Sequence, residues 1–463
     1  MAYAQIVSAD AKGSYTNVIE SHFRKMAATG TDVYGPVSNR MWMSVLDTRT
    51  GCPPHRPHTP KRVYRLIGAP NGTTFYWDQP LVVAAHQLSA LTGKLQYAQS
   101  ADLYAKAFLS RCVDPKGVFQ WGNHMYYDAV KDQVNGFHGG HHELRPITPA
   151  WELLWRHAPE ETAKYIRMMA QRHIYDPNTG GFNRHDDGKP GCAFIESGGI
   201  LVESVAWLWA KTKDPELLDA ALKTARYSYS HRGASTGLIV NQPDNKRWDS
   251  KVSTTEIGVW AQSLLRAHKY TSNDEFAEMA RSGVSAYLKY GYDSKAQKYY
   301  GQVRVEDGTP ATPAKPGYWP REYSDIWSTD QWPTHDYPMP LAEACITLYE
   351  KTGQDVFRDA IHRWAKVISD ATPANGGKGA YAEQYGRCIH FLARAGRVLQ
   401  DKVLVEQAHV LVREAIEVLY DEGMFQGCPR THLYESVDGV GYLFLALMYL
   451  EESQELDLYG FGF

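Results

Sequence analysis

The sequence predicts an all-α fold, an (α/α) toroid (barrel) of about six to seven helical hairpins with short strands in the entrance loops. Three observations predict it. Pairs of amphipathic helices joined by a short polar turn recur along the chain, the turns inside the pairs resemble one another, and the last helix is apolar nearly all round. An open solenoid shares the periodicity but ends on a polar cap. Here the last helix reads Val440-Gly441-Tyr442-Leu443-Phe444-Leu445-Ala446-Leu447-Met448-Tyr449-Leu450, which has to be buried on most sides, so the ring is expected to close.

In order, an opening helix over residues 15–28 is followed by pairs at 79–91 with 95–111, 150–156 with 160–172, 198–211 with 215–230, 256–269 with 274–290, 339–351 with 356–370 and 382–399 with 403–420. A helix over 439–452 closes the series. The inner turns, Leu91-Thr92-Gly93-Lys94, Lys211-Thr212-Lys213-Asp214-Pro215 and Lys351-Thr352-Gly353-Gln354-Asp355, each stop a helix at Gly or Lys. The segments after the second helices also echo one another: Val113-Asp114-Pro115, Tyr175-Asp176-Pro177, Tyr292-Asp293-Ser294 and Tyr420-Asp421-Glu422. Each predicts a tight turn and a short extended piece at the same end of its hairpin. No linker or low-complexity tract divides the chain, so residues 1–463 are read as one domain.

Composition excludes several function classes. Hydrophobic residues make up 43% and charged residues 22%, which suffices for a large core without staples. A net charge of −3 with no Lys/Arg run interleaved with aromatics argues against nucleic acid. No apolar run approaches the ~20 residues of a membrane span. The segment from Met1 to Tyr15 lacks a basic region followed by an apolar one, so the chain is expected in the periplasm or outside the cell if a signal peptide has been removed, and otherwise in the cytoplasm. The six cysteines are scattered and read as mostly buried, reduced thiols; neither a metal nor a cofactor is expected. The 30 Tyr and 13 Trp exceed what core packing needs, and they combine an apolar face with a hydrogen-bonding tip, which suits a sugar ring.

Two loops carry most of the chemistry. Gly136-Phe137-His138-Gly139-Gly140-His141-His142-Glu143-Leu144-Arg145 leads into an inner helix and gathers a candidate base, an orienting carboxylate and an anion clamp near a helix N-terminus. Its spacing matches neither H-E-x-x-H nor a facial triad. Gly317-Tyr318-Trp319-Pro320-Arg321-Glu322-Tyr323-Ser324-Asp325-Ile326-Trp327 and Trp332-Pro333-Thr334-His335-Asp336-Tyr337-Pro338 precede another inner helix. There Arg321 is expected to lower the pKa of Tyr323 toward a usable phenolate. Further polar groups stand where inner helices begin: Asp78, Glu196, Glu256, Tyr381 and Asp438, with Arg184 and His185 in the run Asn183-Arg184-His185-Asp186. Helix capping accounts for the hydroxyl residues at these places, but less well for so many carboxylates.

The Y-D-P-x-T-G-G-F turn, His141-His142-Glu143 and Tyr318-Trp319-Pro320-Arg321-Glu322-Tyr323 together resemble the (α/α)-barrel carbohydrate enzymes, and within them the seven-hairpin polysaccharide lyases acting on glucuronan and alginate. That resemblance implies β-elimination on a uronic-acid glycan by a His and a Tyr, mapping to His142 and Tyr323, with His141 and Tyr318 as near substitutes. Arg145 or Arg321 would neutralise the uronate carboxylate. Similar barrels house unsaturated glucuronyl hydrolases, which use carboxylates, and sugar 2-epimerases, which use paired histidines. The expected partner is thus an anionic oligo- or polysaccharide. A hydrolase built on Asp78, Glu196, Glu256, Asp336 and Asp438 stays open as an alternative, as does a noncatalytic glycan-binding protein. If the ring closes, Asp78, His142, Glu196, Glu256, His335 and Tyr381 should surround one cleft, with Arg145, Arg184 and Arg321 on its walls.

Overall fold

A computed structural model describes residues 14–54, 69, 71–121, 125–135, 142–144, 147–311, 321–327, 337–370, 380–452 and 454–462. Among these residues the helices are α1 (Ser14–Thr29), α2 (Phe75–Thr92), α3 (Gln96–Arg111), α4 (Trp151–His157), α5 (Pro159–His173), α6 (Ile195–Thr212) and α7 (Pro215–Ser230). They continue as α8 (Thr254–Thr271), α9 (Asp274–Tyr290), α10 (Met339–Thr352), α11 (Asp355–Asp370), α12 (Ala382–Val398), α13 (Lys402–Leu419) and α14 (Val440–Glu452). Burial sorts them into two layers. In α6 every residue from Ile195 to Leu208 is buried, and in α14 every residue from Val440 to Leu450. By contrast, α11 buries one stripe, Phe357, Ala360, Ile361, Trp364, Ala365 and Ile368. The even-numbered helices therefore form an inner layer and the amphipathic odd-numbered ones an outer layer.

The inner helices neighbour one another in chain order: α6 packs on α8, α8 on α10, α10 on α12, α12 on α14, and α14 on α2. The short α4 fills the remaining place, for Gln79 Oε1 of α2 accepts from the Ala150 N–H at 2.8 Å and Trp151 Nε1 donates to Ser204 Oγ of α6 at 3.2 Å. The α14–α2 contact closes the ring, as the apolar last helix predicts. Because each inner helix is followed by an antiparallel outer one, all inner N-termini share one end of the molecule.

Glycine sets the spacing. It is the fifth residue of α6, α8 and α12 (Gly199, Gly258, Gly386), and a Cβ there would lie 2.9 Å from Trp260 Cα, 2.3 Å from the Leu341 nitrogen and 2.5 Å from the Leu443 nitrogen. A Cβ on Gly441 would reach 2.2 Å from the Leu81 nitrogen of α2. Pro80, inside α2, leaves the Tyr76 carbonyl without its usual N–H donor, and the Gln79 side-chain amide replaces it at 3.1 Å.

The expected turn-and-strand pieces follow the outer helices. Antiparallel pairs join Ile174–Asp176 to Gly181–Phe182, Tyr292–Asp293 to Lys298–Tyr299, and Tyr420–Asp421 to Met424–Phe425, and a single bridge joins Val113 to Phe119. The main difference from the sequence reading lies at the inner-helix starts. α2 begins at Phe75 and α6 at Ile195, earlier than apolar periodicity suggests, because a helix buried on all sides has no polar face to mark its first turn. All six cysteines are free thiols; Cys112, Cys345 and Cys388 are buried.

Gly258→Ala should destabilise the ring, since the new methyl meets backbone rather than a movable side chain. A loss of about 1–3 kcal/mol is expected from overpacking. Gly93→Ala is the control: nothing stands within 4 Å, but φ is +72°, so about 1 kcal/mol of backbone strain is the whole cost. Chemical denaturation of the two variants measures the difference.

Candidate active site

Two loop segments meet at the mouth of the ring. Glu143 and His185 form an antiparallel bridge, the Leu144 N–H donates to the Arg184 carbonyl at 2.9 Å, and the Asp186 N–H to the His142 carbonyl at 3.1 Å. This pairing brings Arg184 to the first turns of α6 and α8. Its Nη2 lies 2.8 Å from Glu143 Oε1 and its Nη1 4.0 Å from Glu196 Oε1. Glu256 Oε2 accepts from the Glu196 N–H at 3.4 Å, a long bond at the start of α6. Glu143, Arg184, Glu196 and Glu256, all expected at the cleft, are thus brought together.

Charge is unevenly shared in this cluster. Burial holds the Glu256 carboxyl up at about 8, opposed by the Glu196 N–H and the Arg184 guanidinium. It keeps its proton at neutral pH. Cys192 lies beside the same four groups, and burial pushes its thiol up to about 11, so it is no thiolate nucleophile. The site therefore combines a guanidinium, ion-paired carboxylate and a protonated carboxyl within one polar cluster.

His142 is next to Glu143 and lines the same small cavity, but its hydrogen-bond partners are different. Trp121 Nε1 donates to the Tyr165 hydroxyl at 2.7 Å, and that hydroxyl is hydrogen-bonded to His142 Nε2. His142 Nδ1 is 2.7 Å from His173 Nε2, and His173 Nδ1 is 2.8 Å from the Asn183 carbonyl. Since that carbonyl only accepts, the chain has one direction: His173 donates to it, His142 donates to His173, and Tyr165 donates to His142. Burial lowers His173 to about 4 and raises Tyr165, so these two stay neutral. With Tyr165 on one ring nitrogen and His173 on the other, His142 is a buried, hydrogen-bonded residue in the lining of a small cavity that Glu143, Tyr165 and Trp121 share. The sequence shows the histidine but not the two partners that occupy it.

Tyr323 and Arg321 have other partners. The Tyr323 hydroxyl donates to Asp293 Oδ2 at 2.8 Å and its ring stacks on Tyr300 at 5.2 Å, which ties it to the Tyr292–Tyr299 hairpin. Its pKa is raised to about 12, chiefly by the Asp293 hydrogen bond, the reverse of the expected lowering by Arg321. Arg321 instead lies 3.5 Å from Asp325. Asp78 also has partners of its own: it accepts from Ser44 Oγ at 2.8 Å and from the hydroxyls of Tyr104 at 2.6 Å and Tyr434 at 3.2 Å, which binds α2 to α3 and to the segment before α14. Tyr381 stands before α12 with its N–H on Gln384 Oε1 at 2.9 Å. His141, Arg145, Tyr318, His335 and Asp336 lie outside the described residues.

Sequence reading names Tyr337 in the second loop and Tyr442 in the last helix, but it missed a polar pair on the inner wall, Glu383 and Arg387 of α12. Glu383 and Arg387 are four apart on α12, and that spacing is the signal that could have found them.

Glu256 makes stability pH-dependent with a definite sign. Its folded pKa, about 8, lies above the ordinary 4.5, so the folded protein holds this proton more tightly than the unfolded chain. Its favourable contribution is complete below 4.5 and is lost as pH rises through about 8. Glu256→Gln, which cannot ionise, should therefore gain Tm over the wild type as pH is raised across that window. Melting curves that stay parallel would contradict this placement.

A family model described as periplasmic pectate lyase matches residues 76–196, a segment that contains Glu143, Arg184, His185 and Glu196. A pectate disaccharide-lyase of Dickeya dadantii (strain 3937) is 29% identical over 103 residues, 22% of this chain and 19% of that protein, so the match spans about a fifth of the relative's length. Among solved structures, an alpha-1,6-mannanase from Salegentibacter sp. HEL1_6 superimposes with a TM-score of 0.50 at 10% identity, covering 94% of this chain and 99% of that one. A cellobiose 2-epimerase from Bacillus thermoamylovorans B4167 does so with a TM-score of 0.50 at 9% identity, covering 95% and 98%. At such identities the likeness shows the fold alone, and the fold is that of the (α/α)-toroid carbohydrate-active enzymes.

Proposed function

We propose that the protein is a periplasmic or secreted polysaccharide lyase that cleaves a uronate glycan of the pectate kind by β-elimination. The observation that carries this reading is Arg184, seated at the mouth of the ring between Glu143 and Glu196, inside the segment similar to pectate lyases. Elimination removes the C5 proton, forms the C4–C5 double bond and expels the C4 oxygen. It needs a cation at the uronate carboxylate to stabilise the developing enolate, a base for the proton and an acid for the leaving oxygen.

In this reading the Arg184 guanidinium meets the carboxylate, the Glu196 carboxylate takes the C5 proton, and the Glu256 carboxyl, protonated at neutral pH, gives its proton to the leaving oxygen. Solvent then returns both groups to their starting states. His142 supports the strand that carries Glu143, while Tyr323 and Arg321 act at the rim on substrate position. His185, bridged to Glu143, lies at the same wall.

One observation favours a second reading. A protonated carboxyl beside a second carboxyl group is also what a glycoside hydrolase uses, with Glu256 as acid and Glu196 as base or nucleophile. The product separates the two. Polygalacturonate treated with the protein should gain absorbance near ~235 nm as unsaturated ends form by acid–base elimination. Arg184→Gln should lower kcat/KM by about 10²–10³ through lost charge stabilisation, and Glu256→Gln by about 10² or more through lost proton donation. New reducing ends without that absorbance would establish hydrolysis.

A further inference from the structure

The inner wall at α12 carries a guanidinium with spare donors. Arg387 of α12 donates from Nε to Glu383 Oε1 at 2.8 Å, and its guanidinium carbon lies 4.3 Å from the centre of the Tyr442 ring of α14. The side chain is 11% exposed, and among the described residues Nε is its one hydrogen-bonding nitrogen. Glu383 and Tyr442 therefore fix the plane of the fork while its two Nη groups are left to meet an acceptor.

Beside it stands Tyr337. Thr255 Oγ1 accepts from the Tyr337 N–H at 2.9 Å and donates to the Tyr337 carbonyl at 3.0 Å, which clamps this residue to α8 next to Glu256. Its hydroxyl is buried and has no hydrogen-bond partner among the described residues. The charges acting on that phenol include those of Cys388, Arg387 and Glu383, so the hydroxyl faces the α12 side on which the fork lies. A buried hydroxyl left unpaired is costly unless a ligand completes it.

The space has a floor. Residues 454–462 reach α12 through Glu455, paired with Arg397, and α2 through the Asp457 carbonyl, which accepts from Gln87 Nε2. The Tyr459 carbonyl accepts from the Glu152 N–H of α4 at 3.0 Å, and the Phe461 ring lies 5.4 Å from Tyr442 of α14. Gly462 abuts the Arg266 guanidinium of α8, which is itself held by Glu203. A segment that touches α2, α4, α8, α12 and α14 must run inside the ring. Phe461 thus lies under Tyr442, on which Arg387 rests.

We propose that the Arg387 fork and the Tyr337 hydroxyl form a second carboxylate subsite inside the ring, above the floor made by residues 454–462. Its ligand class is a sugar acid: the residue neighbouring the one held at Arg184 in a chain that carries a carboxylate on every unit. The proposal rests on the uronate reading of the mouth but not on the reaction performed there. A planar fork with two free Nη groups accepts a carboxylate in bidentate fashion and has no such match in a methyl ester, so the subsite distinguishes free acid from ester.

Calorimetric binding of trigalacturonate and of its full methyl ester tests this. Wild-type protein should prefer the acid. Arg387→Gln should weaken acid binding by about tenfold or more and leave ester binding within about twofold. Tyr337→Phe, which removes only the unpaired hydroxyl, should weaken acid binding by a smaller factor while keeping Tm, and it serves if Arg387→Gln fails to fold. Phe461→Ala should shift binding in the same direction as Arg387→Gln. Equal losses for acid and ester, no loss in either variant, or no wild-type preference for the acid would overturn the subsite. Acid preference that depends on Arg387, with no absorbance near ~235 nm on polygalacturonate, would retain the subsite and remove the lyase reading; the converse would do the opposite.

Discussion

Backbone-to-backbone packing of the inner helices is the constraint on which the rest depends. Gly199, Gly258, Gly386 and Gly441 each press against main-chain atoms of the next helix around the ring. Helices that close can surround an axis without leaving a wide pore, and their N-terminal turns then converge at one end. That convergence puts the backbone N–H groups and the polar first-turn residues of separate helices into one neighbourhood, where partial positive charge favours an anion. The outer layer contributes differently. Its helices end in small two-stranded turns that return the chain to the mouth, and one such return, after α5, delivers Arg184.

Adjacent residues of one short strand serve opposite electrostatic regimes. Glu143 is ionised against Arg184, whereas His142 sits in a uniformly directed chain of neutral donors and acceptors that ends on a backbone carbonyl. The neutral chain is rigid because every member has a single allowed donor direction. It fixes where the strand lies, and hence where Glu143 holds its guanidinium. Asp78 works similarly for α2, with three hydroxyls around one carboxyl whose pKa burial raises to about 6.

The ring itself was legible because it is written in repetition: the apolar last helix, the matching turns and the Tyr-Asp pieces all depend on local patterning. Glu143, Arg184, Glu196 and Glu256 were legible because charge just ahead of a buried helix has few structural uses. Other residues were not. Asp78 and Glu196 look alike in sequence, each in a first turn, yet Asp78 turns toward Tyr104 of the outer layer, a choice set by which face of the helix it occupies. For His142 and Tyr323 the sequence shows a side chain without its partners, which are Tyr165, His173 and Asp293. Arg387 was passed over for the opposite reason, since it sits in mid-helix where a charged residue ordinarily signals a solvent face.

The α14–α2 contact also governs how the molecule can be made. The two helices that close the ring are separated by most of the sequence, and the segment within the ring lies later still, so the last contacts formed span almost the whole chain. Until α14 is available, the apolar flank of α2 has nothing to cover it and the partial ring is an open, sticky edge. Synthesis from the N-terminus therefore exposes that edge for as long as translation takes, and folding has to be dominated by a slow, late, long-range closure rather than by sequential stacking of hairpins. A toroid of this kind is assembled like an arch, in which no unit bears its load until the final one is in place.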